Sequence, residues 1–318
     1  TFPRPHPQTV LAGGSNESVG SSGAGKAMNL SHLGVDVTLW ALVGDDDAGR
    51  RIRREMKRRG VEFVAVADPA GTTRHVNLMD QDGERISIFA NAGSDHFSVD
   101  VASMAPIAAA ADLVSVTIAN HCRPFLPMVQ AMGKPIWVDL HDYDGVNPHH
   151  DEFIESADHL LMSSVAMSGW RRFLEDRVAT GTRVAICTHG ASGASGLSSK
   201  EGWVDLPAVP VPEVIDTNGA GDAFFAGIQG AIGVGVEVDR IADLVILFGR
   251  RRVAEVGVQE DVTRRQDDRR VDSDIADMDR LRRGRRRGLR AHDRGARTGF
   301  HRRARARGPV SRARLEVG

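Results

Sequence analysis

Apolar residues recur along the chain in short runs of strand length, separated by segments with helical spacing. Strands are predicted at residues 35–43, 61–66, 113–118, 135–140, 159–162 and 184–188. Helices are predicted at residues 29–33, 48–59, 126–132, 153–157 and 223–232. Because buried strands and helices alternate, the pattern predicts a parallel sheet that is covered by helices.

A hairpin interrupts this alternation near residue 80. Residues 73–79 and 85–90 have strand-like patterns, and the Asp82-Gly83 dipeptide between them favours a turn with positive φ. A hairpin inserted into an α/β order predicts a small lid at about residues 72–90.

Charge is distributed unevenly along the 318 residues, although the formal net charge is only −1. Residues 249–318 hold 22 arginines and 11 acidic residues, while residues 1–248 hold 19 basic and 31 acidic ones. The tail has no lysine, and Phe300 is its only Phe, Trp or Tyr, so a stacking platform for nucleic acid is absent from its sequence. We predict a folded domain at 1–248 and a tail at 249–318 that is disordered or translated out of frame. Binding of nucleic acid through counterion release is the less favoured alternative.

The two cysteines, Cys122 and Cys187, both lie in apolar stretches. They are expected to be buried thiols in a reducing compartment rather than a disulfide scaffold. The opening residues lack a signal-peptide pattern, and the most apolar windows are interrupted by Asp100, Asp112 or glycines. A cytoplasmic protein without a membrane segment is therefore expected.

A turn of small residues precedes the apolar helix predicted at 223–232. It consists of Gly219, Ala220 and Gly221. Backbone N–H groups in such a turn can approach a phosphate closely, and the dipole of the following helix adds partial positive charge. Asp222 follows the turn and Asp216 precedes it. A carboxylate at a helix start is often only a cap, but beside an anion site it can deprotonate a hydroxyl group.

The string Asp-Thr-Asn-Gly-Ala-Gly-Asp at residues 216–222 resembles the C-terminal signature of the PfkB family, the ribokinase-like carbohydrate and nucleoside kinases. Residues 25–34 and 43–49 are similar to the family's N-terminal pattern of Gly-x-x-x-Asn, Leu-Gly and Gly-x-Asp-x-x-Gly. The resemblance covers about residues 20–248 and implies a three-layer α/β/α core with a small β-strand lid.

The resemblance also implies roles for individual residues. Asp222 corresponds to the catalytic base, and the amides of Gly219, Ala220 and Gly221 correspond to the anion hole for the transferred phosphoryl group. The substrate-side residues implied by the N-terminal pattern are Gly25, Lys26 and Asn29. Asp139 joins them because it is expected at the carboxyl end of a strand, where ligands bind in α/β sheets. The nucleotide side is assigned to Thr188 and Gly190, which resemble a Thr-x-Gly phosphate loop, and to Thr217 of the signature.

The function implied by this resemblance is ATP-dependent phosphorylation of a sugar or nucleoside hydroxyl, with ATP and Mg²⁺ as cofactors and a possible homodimer through the lid. Three departures from the family favour an alternative, a catalytically impaired protein that binds a sugar or nucleoside. Residues 1–10 contain neither the expected central strand nor its aspartate, residues 162–166 replace an expected Asn-x-x-Glu, and the arginine-rich tail interrupts the helices after residue 248.

Two other patterns point to different chemistry. Residues 20–27 approximate a P-loop, but Ala27 replaces the Ser or Thr that would meet Mg²⁺, and no apolar strand precedes the loop. A polar cluster comprises His141, Asp142, Asp144, His149, His150 and Asp151. It lacks a regular ligand spacing, so contact with a substrate is favoured over a dedicated metal site.

Overall fold

The computed structural model of the chain describes residues 6–9, 12–79, 85–210, 217–233 and 314–317. The chain forms a main unit of residues 1–10, 19–257 and 311–318 and a second unit of residues 11–18 and 258–310. In the second unit only residues 12–18 are described, and they contain no helix or strand. The helices and strands of the described residues therefore all belong to the main unit.

Regular elements follow one another in an α/β order. The helices are α1 (Ser22–His32), α2 (Asp47–Arg58), α3 (Val101–Ala110), α4 (Phe125–Ala131), α5 (Asp151–Ser156), α6 (Trp170–Ala179) and α7 (Ala220–Gly233). The strands are β1 (Val37–Val43), β2 (Glu62–Ala67), β3 (Arg74–Met79), β4 (Arg85–Asn91), β5 (Val114–Val116), β6 (Ile136–Asp139), β7 (His159–Ser163), β8 (Val184–Thr188), β9 (Ala194–Ser198), β10 (Gly202–Leu206) and β11 (Arg314–Val317).

The main sheet has nine strands within the described residues, in the order β10-β9-β8-β7-β6-β5-β11-β1-β2. From β8 to β2 in this order the neighbouring strands are parallel, while β9 and β10 form an antiparallel edge. The carboxyl ends of parallel strands lie along one edge of a sheet, so the loops that follow them converge there.

Helices cover both faces of this sheet. On one face, Trp137 and Leu161 pack against α7, and α1 and α2 form a neighbouring apolar cluster. On the other face, Val138 and Leu160 pack against α3, α4, α5 and α6. Alternate residues of β6 and β7 therefore enter different cores, which explains why these strands consist of continuous apolar runs. The α/β/α layering predicted from the sequence is present.

Strand β11 lies at the centre of the sheet, although it comes from the arginine-rich tail. It pairs in parallel with β1 and β5, and Leu315 lies opposite Thr38 on one side and Val114 on the other. Residues 6–9 contain no strand, as expected, but the centre of the sheet is not empty, because β11 completes it and the neighbouring Trp40 is buried. Residues 249–313, including the predicted change of frame near 248–252, lie outside the described residues. The domain boundary at 248 stays a prediction.

The predicted hairpin forms a separate two-stranded antiparallel sheet of β3 and β4. Its turn, at residues 80–84, lies outside the described residues. At its base, the Asn91 side-chain amide donates to the carbonyls of Ala70 at 2.9 Å and Thr72 at 3.1 Å. At its far end, Asn218 Nδ2 donates to Met79 Sδ at 3.0 Å. The hairpin therefore reaches the turn before α7.

The structure differs from the sequence prediction in several elements. Helix α1 begins at Ser22 rather than near residue 29, and the hydroxyl of Ser21 caps it by accepting the Ala24 N–H at 3.3 Å. Two glycines in the first turn disfavour a helix locally, but Ala24 and Leu30 are buried in the core, so packing outweighs propensity. The elements α3, α6, β9 and β10 were not predicted. Cys122 and Cys187 are buried free thiols, as expected.

Candidate active site

The turn before α7 is exposed and offers backbone amides to a ligand. Gly219 has a φ of +75°, which glycine adopts without strain. Ala220 begins the helix, and its N–H donates to the Thr217 carbonyl at 3.2 Å. Within the described residues, the N–H groups of Gly219 and Gly221 have no acceptor, and both residues are exposed. The amides of Gly219 and Gly221 therefore fit an anion better than that of Ala220, whose hydrogen bond is already made.

Asp222 lies in the first turn of α7 and its side chain points toward α1. Its Oδ1 accepts hydrogen bonds from Ser22 Oγ at 2.9 Å and from Lys26 Nζ at 2.9 Å. The side chain keeps 16% exposure. No described backbone N–H of α7 donates to this carboxylate, so its contacts are not those of a helix cap.

Lys26 is the most deeply buried charged residue of this group, with 1% exposure. Its Nζ lies 2.9 Å from Asp222 Oδ1 and 3.1 Å from Asp139 Oδ2, and it donates to Ser22 Oγ. The ammonium also lies 4.8 Å from the centre of the Phe225 ring. A buried charge of this kind is stable only when it is paired and hydrogen-bonded, and the two carboxylates meet that requirement.

Asp139 ends β6 at the carboxyl edge of the sheet, where the sequence places it. Burial on its own would raise the pKa of this carboxyl group, but the Lys26 ammonium and the contacts with His141 together hold the pKa below its usual value. Asp139 Oδ1 also accepts the N–H of His141 at 2.9 Å. His141 has a φ of +51°, which is uncommon for a residue other than glycine and marks a constrained loop.

Gly25 and Asn29 lie on α1 beside this group, but their contacts differ. A Cβ atom at Gly25 would stand 2.6 Å from Asp222 Oδ2, so the carboxylate can occupy its place only because residue 25 has no side chain. The Asn29 side-chain amide donates to the carbonyl of Gly25 at 2.8 Å, within its own helix. The structure thus brings Gly25, Lys26 and Asp139 together with Asp222, while Asn29 is one turn further along α1.

The residues predicted for the nucleotide side are Thr188, Gly190 and Thr217. Thr188 ends β8, two strands from β6, Gly190 follows it, and Thr188 Oγ1 donates to the Met162 carbonyl at 3.4 Å. Gly190 and Thr217 are exposed. No contact joins Thr188 or Gly190 to Asp222 in the part of the chain that the structure describes.

A polar network beside Gly190 was not predicted. The two ring nitrogens of His189 lie 3.0 Å from Ser164 Oγ and 3.0 Å from Ser195 Oγ. Ser195 donates to Asp205 at 2.5 Å, and Arg171 binds the same carboxylate through two contacts of 2.9 Å. Burial lowers the pKa of His189. The network ties the ends of β7 and β8 together, and no local sequence pattern connects residues so far apart.

The P-loop-like string at residues 20–27 does not form a P-loop. Residues 12–20 contain no strand, and α1 begins within the P-loop-like string, with Ala27 buried. Among the described residues, no group of three or more His, Cys, Asp or Glu side chains could hold a metal ion. Within the same residues, no helix is long and apolar enough to cross a membrane.

Comparison with known proteins identifies relatives of this chain. The profile described as pfkB family carbohydrate kinase matches residues 5–264. Acarbose 7(IV)-phosphotransferase of Actinoplanes sp. is 29% identical over 230 residues, which cover 71% of this chain and 77% of that protein. Fructoselysine 6-kinase of Escherichia coli is 28% identical, covering 65% of this chain and 79% of that protein.

Solved structures resemble the chain over a similar length. A microbiome-derived acarbose kinase, Mak1, superposes with a TM-score of 0.69 and 27% identity, covering 77% of this chain and 84% of that one. Ribokinase of Arabidopsis thaliana, complexed with ribose and ATP, has a TM-score of 0.63 and 20% identity, with coverage of 76% and 82%. The ribokinase-like fold predicted from the sequence is confirmed. The chain belongs to the pfkB family of carbohydrate kinases, phosphotransferases that act on an alcohol group.

Proposed function

We propose that this chain transfers the terminal phosphoryl group of ATP to a hydroxyl of a sugar, with Asp222 as the base. The observation that carries the proposal is the position of Asp222, a partly exposed carboxylate that directly follows exposed amides with no acceptor among the described residues. A base and an anion site must be adjacent for this reaction, because a proton leaves the hydroxyl as negative charge develops on the phosphoryl oxygens.

In the proposed reaction, the acceptor O–H bond breaks and its proton passes to Asp222. The same oxygen forms a bond to phosphorus as ADP leaves. The amides of Gly219 and Gly221 stabilise charge on the moving phosphoryl group, and that of Ala220 joins them once it leaves the Thr217 carbonyl. Because the transition state is loose, positioning of the reacting groups contributes more than the strength of the base.

The nucleotide side consists of Thr188, Gly190 and Thr217 in this proposal. Members of the family use ATP, and a neighbouring structure described as a ribokinase of Escherichia coli is a complex with ATP and Mg²⁺. The amides of Gly219 and Gly221, which have no acceptor within the described residues, fit a phosphate group. Mg²⁺, held largely by phosphates and water, would neutralise charge on the nucleotide when bound.

The substrate side is proposed to consist of Gly25, Lys26, Asn29 and Asp139, at the carboxyl edge of the sheet. The relatives are named for action on acarbose, fructoselysine and ribose 1-phosphate, which are all carbohydrates, and a nucleoside kinase is a structural neighbour. We therefore infer a sugar or a sugar derivative as the acceptor. Closure of the β3–β4 lid over it would exclude water from the reaction.

The assay is ADP release from Mg-ATP with a panel of acarbose, fructoselysine, D-ribose and inosine. Replacing Asp222 with Asn keeps the shape of the side chain but removes the base, so kcat should fall by about 10²–10⁴-fold. Asp36→Asn serves as the matched control, because Asp36 is exposed and makes no hydrogen bond or ion pair within the described residues. Unchanged turnover in Asp222→Asn, with substrate binding intact, would refute the assignment.

A second function, a catalytically impaired protein that binds a sugar or nucleoside, has one observation in its favour. Ser163 and Ser164 stand where the family's Asn-x-x-Glu is expected, and Ser164 Oγ already contacts His189 at 3.0 Å. Calorimetry with acarbose, in the presence and absence of Mg-ATP, separates the two functions. Heat from the sugar without any heat from Mg-ATP and without ADP release supports the second.

The lid also offers a surface for association with a second copy of the chain. The lid exposes large apolar side chains, of which Phe89 has 63% exposure, and a second copy of the lid would cover them in a homodimer. Sedimentation of wild type and Phe89→Ser measures this association, and a wild-type monomer at assay concentrations would contradict it. A cytoplasmic location and a kinase domain at residues 1–248 complete the proposal, with nucleic acid not expected as a partner.

A further inference from the structure

The ammonium group of Lys26 donates its hydrogen bonds to other side chains of the protein. An ammonium group has three donors, and Lys26 Nζ lies within bonding distance of Ser22 Oγ, Asp139 Oδ2 and Asp222 Oδ1. The residue has 1% exposure. A substrate hydroxyl could reach this ammonium only by displacing one of its partners, two of which are charged.

The contacts of Asp222 are asymmetric. Its Oδ1 accepts bonds from both Ser22 and Lys26. Its Oδ2 accepts no hydrogen bond within the described residues, and it lies over Gly25, where a Cβ atom would be 2.6 Å away. One oxygen is therefore held by the fold, while the other remains able to accept a proton.

We propose that Lys26, fixed by Asp139 and Ser22, is a positioning residue that holds Asp222 Oδ1 and presents Oδ2 to the acceptor hydroxyl above Gly25. This inference rests on the proposed function and revises the role of Lys26 within it. Lys26 acts through the base and does not contact the sugar, and Ser22 joins the residues on which the reaction depends.

Electrostatics favours this arrangement. Asp139 and Asp222 are two carboxylates that contact one ammonium, so the cluster is negative by one charge when Lys26 is present. A further titratable side chain, His141, also contacts this cluster within the described residues, with its Nδ1 3.4 Å from Asp139 Oδ2. Without the ammonium, Asp139 and Asp222 would repel each other, and Asp222 Oδ1 would keep only the hydrogen bond from Ser22.

The test is steady-state kinetics of Lys26→Met with Mg-ATP and the panel member that gives the highest kcat/KM in wild type. Methionine keeps the length of the side chain and removes the charge. We expect kcat to fall about 10²-fold, the cost of a misplaced catalytic group, with the sugar KM within about 3-fold of wild type. Ser22→Ala, which removes one of two contacts to Oδ1, should give a smaller loss of kcat, again without a change in KM.

Two further variants keep the test decisive. Lys57→Met is the matched control, since Lys57 is exposed on α2, and its kinetics should equal those of wild type. Lys26→Met/Asp139→Asn also removes the second carboxylate, and with it the repulsion that could unfold the single variant, and its kinetics are compared with those of Asp139→Asn alone. Its kcat should remain low, because the hydrogen bond from Lys26 to Asp222 Oδ1 is still missing.

The possible failures are distinguishable. If wild type releases no ADP with acarbose, fructoselysine, D-ribose or inosine, the proposed function fails and this inference fails with it. If wild type is active and Lys26→Met raises the sugar KM at least 10-fold with kcat unchanged, or if the double variant does so relative to Asp139→Asn alone, Lys26 contacts the substrate. In that case only the positioning role is overturned.

Discussion

Asp46 and Asp222 both lie at the start of a helix, and the contacts of their carboxylates differ in kind. Asp46 is the N-cap of α2, and its carboxylate accepts the N–H of Gly49 at 2.8 Å and the N–H of Thr72 at 2.9 Å. Together with the Thr72 hydroxyl, these bonds lower the pKa of Asp46 to about 2. The partners of Asp222, in contrast, are side chains of another helix, and its Oδ2 accepts no bond within the described residues.

An aspartate beside a glycine-containing turn therefore has no inherent role. Both oxygens of the Asp46 carboxylate accept hydrogen bonds, and those from Thr72 join α2 to the base of the lid. In Asp222 only Oδ1 accepts hydrogen bonds within the described residues, so Oδ2 is available to a ligand. Both residues belong to motifs of one family, yet one motif is structural and the other is suited to chemistry.

The glycines that lie next to these two aspartates, Gly49 and Gly25, differ in the same way. A Cβ atom at Gly49 would meet the backbone carbonyl of Gly44 at 2.0 Å, whereas a Cβ atom at Gly25 would meet the end of the Asp222 side chain at 2.6 Å. Backbone cannot move without disturbing the turn, but a side chain can rotate away. Substitution at Gly49 should therefore affect stability, and substitution at Gly25 should affect the position of the proposed base.

The largest expected effect is that of Gly25→Ala on catalysis. The methyl group should displace Asp222, and a shift of about 1 Å in a catalytic group can reduce kcat by about 10²-fold. The fold should persist, because alanine is favoured over glycine inside a helix. Steady-state kinetics of this variant measure kcat, and thermal melting measures the stability of its fold.

The control for this substitution is Gly169→Ala, since nothing lies within 4 Å of a Cβ atom at Gly169. It should leave kcat unchanged. A Gly25→Ala protein with wild-type kcat would show that the contact between Gly25 and Asp222 Oδ2 does not matter for the reaction.

The next effect in size is that of Gly49→Ala on stability. The new methyl group overlaps the Gly44 carbonyl, and such overpacking costs about 1–3 kcal/mol in the free energy of unfolding. Urea denaturation measures the loss, and the folded fraction should retain wild-type kcat. A variant that is as stable as wild type but inactive would reverse the roles that we assign to the two motifs.

The smallest effect is that of Asp46→Ala, which removes a helix cap. At pH 7 its melting temperature should be about 2–4 °C below that of wild type, with kcat unchanged. The pKa of Asp46 is about 2 in the folded protein and 3.8 for an unperturbed aspartate, so the carboxylate stabilises the fold above pH 3.8 and loses this contribution as the pH falls toward 2. The difference in melting temperature between wild type and Asp46→Ala should therefore be smaller at pH 3 than at pH 7.

Melting curves of wild type, Asp46→Ala and Asp36→Ala at pH 7 and pH 3 check this last expectation. Asp36→Ala should match wild type at pH 7, because the exposed Asp36 makes no contact to lose within the described residues. If the melting temperatures of wild type and Asp46→Ala differ by the same amount at pH 7 and pH 3, the lowered pKa of Asp46 does not contribute to stability.

Much of the fold could be predicted because its signals are local. The apolar runs at 135–140 and 184–188 correspond to β6 and β8, and the strand-like runs on either side of the Asp82-Gly83 dipeptide correspond to β3 and β4. Strand β9 was missed because Ala194–Ser198 has one large apolar residue, Leu197, and is buried by its neighbours rather than by its own pattern. Strand β11 was missed because its short segment follows a long arginine-rich stretch.

The sequence by itself determined the turn at Gly219–Asp222, the alternation of strands and helices, and the family, since each depends on residues that are close together in the chain. Only the tertiary structure placed Lys26 between Asp139 and Asp222, and only it brought β11 between β1 and β5. The physical reason is that a hydrogen bond such as that from Ser22 to Asp222 spans 200 positions, and no local periodicity encodes which distant partners burial will force together.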